Sequence, residues 1–426
     1  MNLLLTLFFF FRPVMFVDLG WKIVGLNITE FFAVVASAIL IAAYVLNLIF
    51  TKQINVSVID FFIVFFIIWC LFVYVLYIDK ADIKDSAKFA LPFFTYIVMK
   101  NIVRNRQQYT RLLYIMILGY AIPVFSSAFL IVQGKGLDRV MYWTGLHRFQ
   151  GVYVNPHNMA HCMTFLLMII CIYAVICTVD PKLKPMSKRK FTVVFFTVLS
   201  MLALYCLYNS FVRTCFLGLA VFVYYYLFRI NKKALIIITV AVGIIGVMSA
   251  AVLYTIFFDM VDAAEGKTSA QRFGSGRPYI WMHNLTEFSN FSLDRKLAGA
   301  GIGNRRNIHS SNLGDDVWNS HNDLLEVLMQ TGIIGFIIFI LMQFFMFQKI
   351  RRLEGREKYI FLALFFAVFF MNCVSNSYVV RFGLGQMYYI VLSYIELPIH
   401  EQQQTDMQIE EAHALDMKAK KSRLIG

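Results

Sequence analysis

The sequence predicts an all-α, polytopic membrane protein with about 12 transmembrane helices, and three observations carry that prediction. Hydrophobic residues make up 59% of the 426 positions and charged residues only 15%, against about 45–50% and about 25% in soluble domains. With a mean hydropathy of +0.67, a solvated surface would run short of polar residues, which excludes a soluble enzyme, a disordered chain and a fibrous repeat. Apolar runs of roughly 20 residues recur along the chain, the length that crosses a bilayer. The formal charge of +14 concentrates in short segments between those runs. That is the positive-inside bias of a membrane protein, so membrane lipids are the expected surroundings and no nucleic acid is expected as a partner.

In chain order the predicted spans are 2–17, 29–50, 55–78, 87–103, 111–132, 159–179, 190–208, 210–228, 234–258, 322–347, 359–377 and 382–398. The first carries Arg12-Pro13 and has no small-residue cleavage site, so it reads as a span and not as a cleaved signal. No internal repeat or second domain is visible. The expected organisation is one transmembrane domain, 1–398, which includes a long polar loop at 259–321, followed by a polar tail at 399–426. Basic residues crowd the segments after the second, fourth, sixth, eighth and tenth spans (Lys52, Lys100–Arg111, Lys182–Lys190, Arg229–Lys233, Lys349–Lys358) and the tail, Lys418–Arg423. Those segments and both termini are therefore expected in the cytoplasm. The polar segments 133–158 and 259–321 then face outward, which places the chemistry at the outer face of the membrane.

The seven cysteines all lie in apolar stretches without a CxxC or Cys/His grouping, so they read as small core residues and not as disulfides or metal ligands. Arg213, about one turn inside the eighth span, demands more explanation. A cation at membrane depth costs roughly 2.5–3.5 kcal/mol or more unless it is paired or faces a wet cavity. It is either an arginine reaching for the headgroups or an anion ligand. Arg148 and His157 flank Asn155 and Asn158, either of which suits a helix cap, before the sixth span. The long loop holds Ser275-Gly276-Arg277-Pro278-Tyr279-Ile280-Trp281, then the run Gly299, Gly301, Gly303. That run is either a phosphate nest of exposed N–H groups or a plain turn. The tenth span opens with Ser320-His321-Asn322-Asp323 and continues through Gly332 and Gly335, glycines that let another helix approach closely. His321 is placed to be a base or a cap. Cations from several segments on one membrane face suit a diphosphate, since guanidinium bonds phosphate oxygens bidentately, and apolar walls suit a lipid tail.

These motifs, in this order, resemble the O-antigen ligase and polymerase superfamily. The run Ser320 to Gly335 is similar to its HN-x-x-L…G-x-x-G signature, and Ser275–Trp281 to its periplasmic-loop motif; Gly299–Gly303 and Asn155–Asn158 also fit. The resemblance extends over most of the chain in layout and is specific mainly over 272–335. It implies a fold like the membrane glycosyltransferases of the C type, in the bacterial cytoplasmic (inner) membrane. It implies an inverting transfer of an undecaprenyl-diphosphate-linked oligosaccharide or polysaccharide to an acceptor hydroxyl in the periplasm, with no cofactor and no metal. Asp315-Asp316 is adjacent and not a spaced DxD, which agrees with that. By the same resemblance His321 is the catalytic base, and Arg213, Arg277 and Arg148 hold the diphosphate; Arg139, Asn322, Asp323, Gly301 and Gly303 are supporting positions. The acceptor is either another lipid-linked glycan, which makes the protein a surface-polysaccharide polymerase, or lipid A–core, which makes it a ligase. The Ser275-Gly276-Arg277 form favours the polymerase. A transporter is the more distant reading: it should show paired halves with matching broken helices, and the loop at 259–321 has no counterpart between spans three and four.

Overall fold

A computed structural model describes residues 2–17, 22–23, 26–51, 55–78, 83–137, 147–180, 183, 190–248, 277–303 and 320–397. Among them the regular elements are helices, apart from a ribbon in which Lys22–Ile23 pairs antiparallel with Leu26–Asn27. The helices are α1 (Asn2–Phe11), α2 (Ile28–Thr51), α3 (Val58–Leu76), α4 (Ile83–Ile102), α5 (Arg106–Val132), α6 (Pro156–Val179), α7 (Lys190–Ser210), α8 (Arg213–Ile230) and α9 (Lys232–Met248). After them come α10 (Arg277–Ser289), α11 (Leu293–Ala298), α12 (Asp323–Arg351), α13 (Gly355–Val374) and α14 (Phe382–Leu392).

Every predicted span overlaps a helix among the described residues, and 8 of these helices are long and apolar enough to cross a membrane: α2, α3, α5, α6, α7, α8, α12 and α13. The protein is an all-α, multi-pass membrane protein. The other four spans fall short for local reasons. Arg12-Pro13 ends α1, since proline cannot continue a helix and restricts the residue before it. Lys84, Asp85 and Lys88 occupy the first turns of α4, which leaves Phe89–Ile102 as its apolar part. Described residues of α9 stop at Met248, and α14 tightens into a 3-10 turn at Ser393–Glu396.

The centre of the bundle is α6, buried along most of its length from Pro156 to Cys177 and packed against α5, α7, α8 and α13. An aromatic cluster, Phe66, Phe93, Phe339 and Tyr389, ties together α3, α4, α12 and α14, with the Phe93 and Tyr389 rings 4.8 Å apart. At one end of the bundle buried charges are paired: Lys100 with Asp60, Lys349 with Glu396, and Arg106 with Glu357. Tyr96 and Tyr394 donate to Glu396 and Glu357 at 2.8 and 2.6 Å. A buried charge left without a partner is costly, and each of these has one.

Two features differ from a plain succession of spans. The segment expected as one irregular loop contains α10 and α11. Trp281 and Phe288 give α10 a short apolar stripe, too brief to register as a span, that packs with Leu325 and Met329 of α12. The tenth span, expected as continuous, breaks at Gly332, whose backbone is left-handed (φ 69°). The break frees carbonyls that neighbours satisfy: Ala300 N–H donates to Met329 at 2.8 Å and the Trp69 indole to Thr331 at 2.8 Å. It also lets the α11 C-terminus meet α12 backbone to backbone. A Cβ on Gly332 would sit 2.3 Å from the Leu297 carbonyl oxygen. Gly332→Ala should therefore lower the melting temperature of the detergent-solubilised protein by several degrees, because the left-handed backbone alone costs a side chain about 1–2 kcal/mol and the overlap adds to it. Gly243→Ala in α9, where an added Cβ meets nothing within 4 Å, should leave the melting temperature unchanged or slightly raised; equal melting of the two variants would contradict this account of the break.

Candidate active site

The end opposite the paired charges collects the candidate residues through a set of tight backbone devices. Between α7 and α8 the chain turns at Phe211, one of two non-glycine residues with positive φ (52°) among the described residues. Ser210 holds this turn, its hydroxyl donating to Leu207 at 2.6 Å and accepting from Val212 N–H at 3.2 Å. The turn delivers Arg213 as the first residue of α8. The Asn209 carbonyl accepts from Phe149 N–H at 3.0 Å, which fixes the segment carrying the buried Arg148 beside it. Asn155 caps α6, accepting from Asn158 N–H at 2.8 Å.

Arg277 opens α10 and reaches two other helices: its Nη1 donates to Thr214 Oγ1 of α8 at 3.1 Å and to the Val374 carbonyl at the end of α13. His321 is the second strained residue, with φ 49°. A side chain in this region costs of order 1–3 kcal/mol and persists only where its surroundings enforce it. They do so here. Ser320 N–H donates to Glu326 at 2.9 Å, the Trp281 indole donates to the Ser320 carbonyl at 2.8 Å, and Asn322 accepts from Leu325 N–H at 3.1 Å. Asn322 is thus the N-cap of α12, so the capping role that His321 could have filled belongs to its neighbour.

The structure brings four of the sequence-selected residues together. Arg148 is within electrostatic reach of Arg213, Arg213 of Arg277, and Arg277 of His321. Burial above all, then Arg277 and Arg381, pushes the His321 imidazolium down to a pKa of about 4, with Glu326 opposing. At neutral pH the ring is uncharged and able to accept a proton. Burial, reinforced by Arg213, also lowers the Arg277 guanidinium from its usual value.

The supporting positions are placed differently. Asp323 is wholly buried and its Oδ2 accepts from the backbone N–H groups of Ser377 and Val379, both at 3.0 Å. Gly301 and Gly303 have positive φ and belong to the stretch that packs on the α12 break; Gly303 N–H donates to Gln330 at 3.2 Å. Arg139 lies outside the described residues. Among the described residues no group of three or more His, Cys, Asp or Glu is arranged to hold a metal ion.

Two residues at this end escaped the sequence reading, Arg381 and His161, and His157 was noted only as a neighbour of the caps. Both histidines lie within electrostatic reach of Arg277 and Arg381. Their spacing, four apart at the start of one helix, is a legible sign of a shared face. The sign for Arg381 is that it stands as a lone basic residue in the short turn expected outside, where cations are not favoured.

With this geometry in view, residues 196–340 match the family model described as O-antigen ligase. The match runs from α7 into α12 and contains Arg213, Arg277 and His321, and it supports the resemblance to the O-antigen ligase and polymerase superfamily. No curated protein matches the chain.

The lowered pKa of His321 has a consequence with a definite sign. In the unfolded chain a histidine gains its proton near pH 6.5, whereas in the folded protein His321 gains it near 4. Between those values the unfolded state binds the extra proton, so stability falls as the pH falls, by on the order of 3 kcal/mol when complete. Melting measured from pH 7 to pH 4.5 should therefore drop more steeply for the wild type than for His321→Gln. Parallel curves would contradict the burial of a neutral imidazole at this position.

Proposed function

We propose that the protein transfers a glycan from an undecaprenyl-diphosphate carrier to an acceptor hydroxyl at the outer face of the bacterial cytoplasmic membrane. The observation that carries this reading is the succession Arg148, Arg213, Arg277, His321, contributed by four separate segments and gathered at one end of the bundle. Cations held that close favour an anion among them, and a diphosphate offers the oxygens that guanidinium forks bind best. The family match supports a glycan-transferring membrane enzyme of the ligase and polymerase type. Both termini and the basic loops lie in the cytoplasm in this reading, and the site is periplasmic.

In the reaction the acceptor oxygen attacks the anomeric carbon while the bond from that carbon to the phosphate oxygen breaks, inverting the configuration. Undecaprenyl diphosphate departs with the bonding electron pair. Arg213 and Arg277, supported by Arg148, bind the departing phosphates, and the charge that builds there is stabilised by donors already in place. His321 takes the acceptor's proton. The diphosphate itself prepares that step: its negative charge offsets Arg277 and Arg381 and raises the imidazole toward neutrality, where a general base works best. The arginines supply the charge stabilisation, so turnover is expected to survive chelator. The acceptor favoured is a second lipid-linked glycan, a polymerase reaction, on the Ser275-Gly276-Arg277 form; lipid A–core remains the ligase alternative, and analysis of the product, lengthened lipid-linked chains or glycan on lipid A–core, separates the two.

The test is turnover of purified variants with lipid-diphosphate donor and acceptor. His321→Asn should reduce turnover about 100-fold or more, the usual share of a general base, with donor binding largely kept. Arg277→Lys should weaken donor binding and turnover together, because an ammonium cannot make the bidentate contact. Near-wild-type turnover of a folded His321→Asn variant would remove His321 from the chemistry.

A further inference from the structure

The turn between α13 and α14, residues 375–381, carries a guanidinium to which the reaction above assigns no ligand. Arg381 Nε donates to the Asn376 carbonyl at 2.7 Å, which fixes the edge of the guanidinium nearest its stem. Its two terminal amino groups have no partner among the described residues, and neither is sealed from open space. A fork anchored by Nε, with both Nη groups presented, has the form of an arginine waiting for an oxyanion.

The surroundings agree. Arg381 is within electrostatic reach of the same three imidazoles as Arg277, those of His157, His161 and His321, so both guanidinium groups border one space although they come from different elements. The carboxylate near Arg381 is Asp323, and no ion pair joins them among the described residues. Asp323 is committed elsewhere. Its Oδ2 gathers the N–H groups of Ser377 and Val379, which ties the turn to the first residue of α12, two positions from His321. Asn372 and Met371 hold the same turn from α13, accepting from Tyr378 N–H and the Ser377 hydroxyl, both at 3.1 Å. The turn also packs without slack on α14, where a Cβ on Gly385 would lie 2.1 Å from the Tyr378 carbonyl oxygen.

We infer that Arg381 is a further ligand of the donor's diphosphate, and that Asp323 is the positioning residue that sets Arg381 and His321 at a fixed separation. The inference rests on the proposed glycan transfer and deepens it. The diphosphate is gripped from two sides, by Arg277 at the start of α10 and by Arg381 at the start of α14, with His321 on the strap that Asp323 pins between them. Asp323 is then neither a base nor a metal ligand. Its Oδ2 is used in holding two backbone amides.

The experiment measures the affinity of the full-length protein in nanodiscs for undecaprenyl diphosphate, the released carrier, with folding verified by size exclusion. Arg381→Gln should weaken binding at least 10-fold, and Arg381→Lys should fall between it and the wild type. The lysine variant keeps the charge and a donor for Asn376, so it carries the test should the glutamine variant misfold. Asp323→Asn should weaken binding in the wild-type background and add nothing further to Arg381→Gln. A purely structural carboxylate would instead lower affinity equally in both backgrounds, and that result would overturn its positioning role. Arg277→Gln distinguishes the two levels of the account. If it weakens binding and the Arg381 variants do not, the assignment of Arg381 is wrong; if neither does, the diphosphate site itself is wrong.

Discussion

Guanidinium groups gathered in a low-dielectric interior repel one another, and that repulsion is the constraint on which the rest of this arrangement depends. Each such cation costs roughly 2.5–3.5 kcal/mol or more at membrane depth, and placing a second beside it adds to the cost. A fold keeps them together only with rigid supports. The supports are visible in the left-handed residues Phe211 and His321, in the Asp323 carboxylate that takes two backbone amides, and in the bonds from Arg277 to Thr214 and Val374. A dianionic or trianionic ligand relieves the repulsion, and the arrangement is suited to receive one. Burial above all, with the same field adding to it, holds His321 neutral.

The contrast between the two ends of the bundle sharpens this point. At one end Lys100, Lys349 and Arg106 each meet a carboxylate, and Tyr96 and Tyr394 complete the bonds, so that end is electrostatically closed. At the other end Arg277 and Arg381 bond through carbonyl and hydroxyl oxygens, which orient a guanidinium without neutralising it. The break in α12 belongs to the same design. By turning out of the helix at Gly332, the chain lets α11 lie on α12 and lets α10 pack along its first turns, which sets Arg277 beside His321.

Much of this was legible in the sequence because a bilayer leaves few options for a long apolar run. Each of the twelve predicted spans overlaps a helix among the described residues, eight of them long and apolar enough to cross a membrane, and Arg213 announced itself as a cation where none is cheap. His321, Arg277 and Arg148 were selected by residue type and position, and the structure gathers them. What the sequence hid was long-range geometry. The start of α4 escaped because its first turns carry Lys84, Asp85 and Lys88, which an apolar count discards. Gly332 reads equally well as a packing glycine and as a break; the left-handed backbone is decided by α11 arriving from another part of the chain. Arg381 was not among the residues singled out in the sequence. Only the fold of the 375–381 turn shows its Nε bound and its fork open, and only the fold shows that Asp323, a neighbour of His321 in sequence, gives its Oδ2 to that turn.

The central claim is that these convergent arginines hold a diphosphate against His321, and the most direct measurement is a structure of the protein in nanodiscs with undecaprenyl diphosphate bound. The account predicts the two phosphates between Arg277 and Arg381, with oxygens within hydrogen-bonding distance of both guanidinium groups and His321 facing the terminal phosphate. Phosphates bound away from these residues, or guanidinium groups still turned from a ligand seated nearby, would contradict it.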